Sequence, residues 1–525
     1  MARIRFAAAV LLGAVALRLL THNGLVNYDT LYTLVWGREL AHGTLPDLNV
    51  TIAPTPHPLA TLGALLLSPL SSLKVDGLHG ELAASAAVAL AFVSLALLGW
   101  VVFALGRAWF NTAAGFVAAA IVLTRVPVLD FGARAYVDIP YLVLVLGALL
   151  VETRRPRAGA PVLALLALAG LLRPEAWLFS FAYVAWLLVP GLRAARGEHG
   201  PQRAARGEHE PQRAAGGEHG AQRAPRSEQG ASRAARGEHG PLRAAAWRDA
   251  LPLLALALGA PLLWALHDLL LAGDPLHSLT GTRDNAALLG RVTGLQNVPI
   301  TLPRRLGEIL REPVLLAAAG GGALALLWHR DRRTRLAIAA GALAVVAFCV
   351  LAAAGLPIIT RYLLLTGTLL AIFAGAGVFG WRDLPGGAQR TWWARFGALA
   401  LVVLLLYVPS QASRIARLGD ALSRQESIQG DLAAVVRDGT PCQPVAVPNR
   451  RPIPLLALWL NLDPGDVADA QERLPTHGTY LVPRTPKVAS DYILDKRDRD
   501  RQVAPPPPGF RTVESNASWL AASTC

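Results

Sequence analysis

Lysine is nearly missing. Only Lys74, Lys487 and Lys496 stand among the 50 basic residues of this 525-residue chain. Charge of either sign is sparse too, at 16% of residues, where soluble domains run near about a quarter. That sparseness excludes an ordinary soluble globular protein. The arginine-for-lysine usage reads as a GC-rich codon bias. The formal net charge of +14 is therefore no sign of a nucleic-acid partner. The arginines gather in loops beside apolar runs, where positive charge first sets membrane orientation. Cysteine numbers three. Cys349 falls in an apolar run and reads as an inert small residue. Cys442 and Cys525 both fall in the tail, where an oxidising compartment would favour a disulfide tying the C-terminus to the start of that segment.

What is abundant is apolar sequence, 53% of the chain, gathered in runs of roughly 15–24 residues. A helix needs about 20 residues to cross the hydrocarbon layer. Backbone cannot face lipid unpaired, so these runs predict an all-α polytopic membrane protein. They occupy 6–21, 58–73, 82–105, 111–124, 137–151, 159–172, 176–190, 249–271, 313–328, 335–354, 361–380 and 395–410. Arg3 and Arg5 place the N-terminus inside, and the first run lacks a clean cleavage site, so it reads as a retained helix. The basic loops at Arg154/Arg155/Arg157, 191–248 and "HRDRRTR" (329–335) all fall inside only if 58–73 does not cross. The expectation is eleven transmembrane helices and a juxtamembrane segment within a first outer loop, 22–81.

Four regions follow. Residues 1–190 form an N-terminal membrane module. Residues 191–248 repeat "RAARGEHGPQ" with a period of ten and carry almost nothing apolar, so a flexible cytoplasmic linker is expected. The recurrence of His199, His209, His219 and His239 is better explained by tandem duplication than by metal binding, since copy four carries Gln229. Residues 249–410 form the second transmembrane half. Residues 411–525, with "PVAVP" and "TYLVP", read as a small extracytoplasmic α/β domain.

The polar residues placed outside, where runs meet the surface, are the functional candidates, because ionisable groups there are costly without a partner. They are Tyr28 and Asp29, then Arg38, Glu39, Asp47 and His57. The second outer loop adds Arg125, Asp130, Arg134, Tyr136 and Asp138, the third Arg173 and Glu175, and the fifth Arg361 and Tyr362. Blander readings exist: Asp138-Ile-Pro140 suits a helix start, and Arg173-Pro-Glu175 an interface turn. Asp29 could cap a helix over 30–41, which "TLYTLVWGREL" would make amphipathic and lay at the interface.

In this order, "NYD" (27–29), "GRELAHGTLP" (37–46), "PTPHPL" (54–59), "GARAYVDIPYLVLVLGALL" (132–150), "LAGLLRPEAWLF" (168–179) and "RYLLLTGTLLAIFAGAG" (361–377) resemble the GT-C class of polytopic glycosyltransferases. The likeness is to the polyprenol-phosphate-sugar-dependent members, similar to protein O-mannosyltransferases and bacterial lipid A aminoarabinose transferases. It covers about residues 1–410 and leaves out the decapeptide repeat and the tail. The resemblance implies transfer of a sugar from a polyprenyl phosphate to an envelope glycan, glycolipid or protein at the outer face of the plasma membrane. Asp29 matches the catalytic Asp and would take the proton of the acceptor hydroxyl. Arg361, Arg134 and Arg173, in that order, would hold the departing phosphate. His57, Tyr28, Tyr136 and Tyr362 would position substrate, while Asp138 and Glu175 would orient the arginines or bind sugar hydroxyls. No cofactor and no dedicated metal is expected, since the first loop lacks the Asp-x-Asp pair of the diphosphate-linked oligosaccharyltransferases. A transporter or lipid flippase, or a non-catalytic envelope scaffold, is the alternative; a transporter would show broken helices in paired halves with charges near the midplane.

Overall fold

The structure is a computed structural model that describes residues 2–48, 50, 52–195, 239–438, 441–494 and 502–525. The expected flexible linker of decapeptide repeats lies, from 196 to 238, outside the described residues. Every apolar run is helical. The first half holds α1 (Ala2–Leu20), α2 (Tyr28–Ala41), α3 (Pro58–Ser72), α4 (Glu81–Trp109), α5 (Thr112–Thr124), α6 (Val126–Ala133), α7 (Asp138–Arg154), α8 (Ala160–Gly170) and α9 (Glu175–Ala195). A short hairpin, β1 (Lys74–Val75) with β2 (Leu78–His79), joins α3 to α4. The second half holds α10 (His239–Ala272), α11 (His277–Leu288), α12 (Val298–Leu310), α13 (Glu312–Trp328), α14 (Arg332–Ala353), α15 (Leu364–Phe379) and α16 (Ala388–Asp438).

Among the described residues, five stretches are long and apolar enough to cross a bilayer: Glu81–Trp109, Leu251–Ala272, Arg332–Ala353, Thr360–Asp383 and Ala388–Arg437. Two bent pairs raise this to seven, with α5 and α6 turning by 62° and α12 and α13 by 106°. The expected eleven also counted shorter helices, such as α8 with 11 residues and α7 with 17, and α1, which carries Arg3, Arg5 and Arg18. The segment expected not to cross, 58–73, is the 15-residue α3. In the bundle core, small residues let backbones approach: a Cβ on Gly321 of α13 would sit 2.1 Å from the Phe373 carbonyl of α15.

The expected boundary at 411 falls inside α16. This 51-residue helix continues unbroken past the last apolar run to Asp438. At about 1.5 Å per residue it is a rod of roughly 75 Å. Beyond it, β3 (Val445–Val447), α17 (Ile453–Leu460), β4 (Val467–Asp469), β5 (Thr479–Pro483), β6 (Arg511–Ser515) and β7 (Trp519–Ser523) make the α/β unit. Its sheet runs β4-β3-β5-β7-β6, parallel over the first three strands and antiparallel at β7 and β6. Cys442 and Cys525 are paired as a disulfide that closes the unit. The unit is anchored to α16, where Trp519 Nε1 donates to the Ile428 carbonyl at 2.8 Å.

One expectation about the first loop is corrected. The helix over 30–41 does not lie amphipathically on a membrane surface: Leu31 to Glu39 of α2 are all buried. It is held between α3 and the α/β unit. Gly37 touches Ala64 so closely that a Cβ would come within 2.5 Å of that backbone. Arg38 reaches the open carbonyl end of α17, donating to Ala457, Leu458 and Leu462 oxygens at 3.1, 3.3 and 2.8 Å. Val26, Leu31 and Ala64 therefore share one apolar core with Ile428, Leu456 and Trp519. The polar face that looked solvent-bound in sequence is the face the tail covers.

Candidate active site

The start of α2 is fixed by a polar clamp. Asn27, not Asp29, caps it, accepting from the Thr30 amide at 3.1 Å. The Asn27 amide and side chain both donate to the Arg134 carbonyl, at 3.0 and 2.8 Å, and Thr30 Oγ1 donates to the Ala135 carbonyl at 2.8 Å. The first loop is thus tied to the end of α6, which frees Asp29, in the first turn of α2, to point into a cavity.

That cavity measures about 530 Å³. Asp29 meets Arg361 there: Arg361 Nη1 donates to Asp29 Oδ2 at 3.0 Å, with the two side chains 23% and 29% exposed. Arg361 Nε is buried and has no hydrogen-bond partner among the described residues. Tyr28, His57, Arg134 and Tyr136 line the same space. Arg134 is held by Asp130 at 2.7 Å and also donates to Gln425 of α16. His57 stands edge-on to Trp264, ring centroids 5.6 Å apart, and its buried Nδ1 has no partner among the described residues. Partial burial, then the positive charge of Arg361 and Arg173, lowers its pKa to about 3, so the ring is neutral at working pH. Burial, then Asp29, raises the Tyr136 hydroxyl and keeps it a neutral donor.

Eight of the sequence candidates do not line the cavity: Arg38, Glu39, Asp47, Arg125, Asp138, Arg173, Glu175 and Tyr362. Arg173, Asp138 and Glu175 form a buried cluster behind it, with side chains 5%, 1% and 6% exposed. Arg173 gives Nη1 to Asp138, and Nε and Nη2 to Glu175 at 3.2 and 2.7 Å. Its fork is engaged by two carboxylates, and it does not face the cavity as Arg361 does. Asp138 and Glu175 hold that arginine, and each keeps a second buried oxygen with no partner among the described residues. Tyr362 links the two sites, its ring centroid 4.6 Å from the Arg173 guanidinium carbon and 5.9 Å from that of Arg361.

Other lining groups had no motif to mark them. Arg450, Arg451, Asp491 and Tyr492 come from the α/β unit, and Gln425 and Gln429 from α16. Thr282 and Asn285 of α11 reach back to the first loop, Thr282 to Thr55 Oγ1 at 2.7 Å and Asn285 to the Ala53 carbonyl at 2.7 Å. Arg305 lines the cavity while paired to Glu308 at 2.7 Å. Among the described residues no three His, Cys, Asp or Glu side chains come together as a metal site.

No family model and no curated protein matches this sequence. A solved structure does: ArnT from Cupriavidus metallidurans, bound to undecaprenyl phosphate, with a TM-score of 0.50 over 99% of this chain and 98% of that one. The chain has the GT-C fold. At 14% identity the likeness is one of architecture. It extends beyond the 1–410 region of motif resemblance to the tail, so the α/β unit that roofs the cavity lies within the matched fold.

Proposed function

We propose that this protein is a membrane glycosyltransferase that moves a sugar from a polyprenyl phosphate to an envelope glycan, glycolipid or protein. The observation that carries the reading is the Asp29–Arg361 pair, 3.0 Å apart and half-open to a cavity framed by both transmembrane halves. The reaction needs a base and a phosphate ligand side by side. The acceptor oxygen attacks the anomeric carbon, Asp29 takes its proton, and the bond from that carbon to the phosphate oxygen breaks. The leaving group departs as a phosphate anion held by Arg361, whose Nε has no partner among the described residues. Binding of the donor phosphate to Arg361 also releases Asp29 from its ion pair, so the base is freed as the substrate arrives.

Arg305 and Arg134 add positive charge at the rim, and neutral His57 offers an acceptor to a sugar hydroxyl. Arg173 acts at one remove, bracing Tyr362 and through it Arg361. A mostly apolar cleft of about 570 Å³, lined by Leu365 and Leu369 of α15 and by Leu149, Phe179 and Leu343, runs within the bundle and suits a polyprenyl chain. The ArnT structure holds undecaprenyl phosphate, which supports a carrier of that chemical class here. The cavity charges sit at helix ends (Asp29 at the start of α2, Arg361 before α15), which favours a transferase over a carrier with midplane charges. We place the cavity and the α/β unit outside the cell membrane, and the N-terminus and repeat inside, from the basic loops at Arg154–Arg157 and 329–335.

The test uses purified full-length protein in detergent with a panel of radiolabelled polyprenyl-phosphate sugars. Wild type is expected to release free polyprenyl phosphate and Asp29→Asn to release at least about a hundredfold less while staying folded. Equal release by both would remove Asp29 from the chemistry.

A further inference from the structure

A second cavity, of about 330 Å³, lies at the same end of the bundle and shares no lining residue with the first. It forms where both bent helix pairs break, at Arg125 between α5 and α6 and at Arg311 between α12 and α13, closed by α16 just past its apolar run. Two polar side chains there are structural. Arg125 donates to the Ile121 and Leu310 carbonyls at 3.3 and 3.1 Å, and Gln411 to the Thr124 carbonyl at 2.6 Å. Together they satisfy the exposed carbonyl ends of α5 and α12.

The other arginines have no such task. Arg311, Arg414 and Arg417 line the cavity, and among the described residues none of them forms an ion pair. Arg414 Nε is buried without a partner, and Arg311 is held at φ +68°, a strained conformation for a residue with a side chain. Glu308, the one acid in the lining, is already engaged by Arg305 at 2.7 Å, Arg304 at 3.5 Å and Thr360 at 3.0 Å. Four arginines against one occupied carboxylate, at the rim of an apolar bundle, make a site that lacks its anion.

We infer that this cavity binds the phosphate head group of an anionic lipid, gripped by Arg311, Arg414 and Arg417. The tail of such a lipid would lie along the apolar part of α16, and the head would meet the planar forks that suit phosphate oxygens. The site stands whether or not the first cavity is catalytic. Two lipids share this chemistry, a bilayer phospholipid and a polyprenyl phosphate.

The experiment uses full-length protein in phosphatidylcholine nanodiscs, with phosphatidylglycerol, polyprenyl phosphate or inorganic phosphate added separately. Native mass spectrometry counts the anionic adducts retained. Beyond any polyprenyl phosphate held at Arg361, which both proteins keep, wild type should retain one further adduct that Arg414→Gln/Arg417→Gln holds at least about tenfold more weakly, the loss of two charge-assisted hydrogen bonds. Retention of phosphatidylglycerol identifies a bilayer lipid, and retention of polyprenyl phosphate alone identifies the carrier. Equal retention by the variant, or retention of inorganic phosphate in place of either lipid, overturns the proposal. A head-group photo-cross-linker on phosphatidylglycerol or polyprenyl phosphate, applied to wild type, gives a measurement independent of variant folding. Adducts within 308–311 and 411–418 support the site, and adducts confined elsewhere sink it.

Discussion

Arg361 and Arg173 lie against the same tyrosine ring yet have opposite fates. Arg361 faces one carboxylate, both side chains about a quarter exposed, with a buried Nε left over. Arg173 faces two, all three side chains 6% exposed or less. The first pair can exchange its partner for a substrate, because water and ligand reach it. The second cannot, because removing either partner strands a buried charge. Charge at a membrane boundary is therefore not one signal but two, told apart by how many partners the fold supplies.

The widest separation between the two sites should come from matched substitutions. Asp29→Asn should lower turnover by about 10²–10⁴-fold with an unchanged melting temperature. Asp138→Asn should do the reverse, costing roughly 3–5 kcal/mol of stability in thermal or denaturant unfolding. Folded Asp138→Asn protein that turns over normally would sharpen the contrast. An Asp29→Asn protein that unfolds would erase it. A smaller effect is expected at the arginine itself. Arg361→Lys keeps the charge but loses the fork, so KM for the donor should rise about tenfold, with a lesser fall in kcat. Donor affinity unchanged in steady-state kinetics would move the phosphate to Arg305 or Arg134.

The smallest effect concerns Glu39, near the far end of α2. Burial raises the pKa of Glu39 from 4.5 to about 7, so the folded chain holds a proton there that the unfolded chain releases. Its contribution to stability is full below pH 4.5, erodes as pH rises toward 7 and is gone above it. Wild type should therefore lose melting temperature between pH 5 and 8 relative to Glu39→Gln, in which that part of the slope is absent. Parallel pH profiles for the two proteins would show that Glu39 is solvated instead.

Much of this was legible in the sequence because apolar length and helix-end charge are local properties. All twelve runs are helices, and Asp29, His57, Arg134, Tyr136 and Arg361 do meet at one cavity. What was not legible depends on distant partners. The sequence offered Asp138 as a partner for the arginines, but not that its carboxylate lies against Arg173, 35 residues away, and leaves Arg361 to Asp29. The stretch "TLYTLVWGREL" looked amphipathic because nothing in it announces that α17, more than 400 residues later, covers its polar face. Arg450 and Arg451 carry no motif, since they reach the cavity only through the packing of the α/β unit on α2 and α16.

The unbroken α16 limits how the cavity can open. The same rod presents Gln425 and Gln429 to the chamber and carries Trp519 of the sheet through the Ile428 carbonyl. No loop interrupts the shaft near 411, and the one interior proline of the helix, Pro409, is where it is weakest. A bend at Pro409 would therefore lever roof and wall together, and it would have to break the latch on the far side, where Arg38 holds the end of α17.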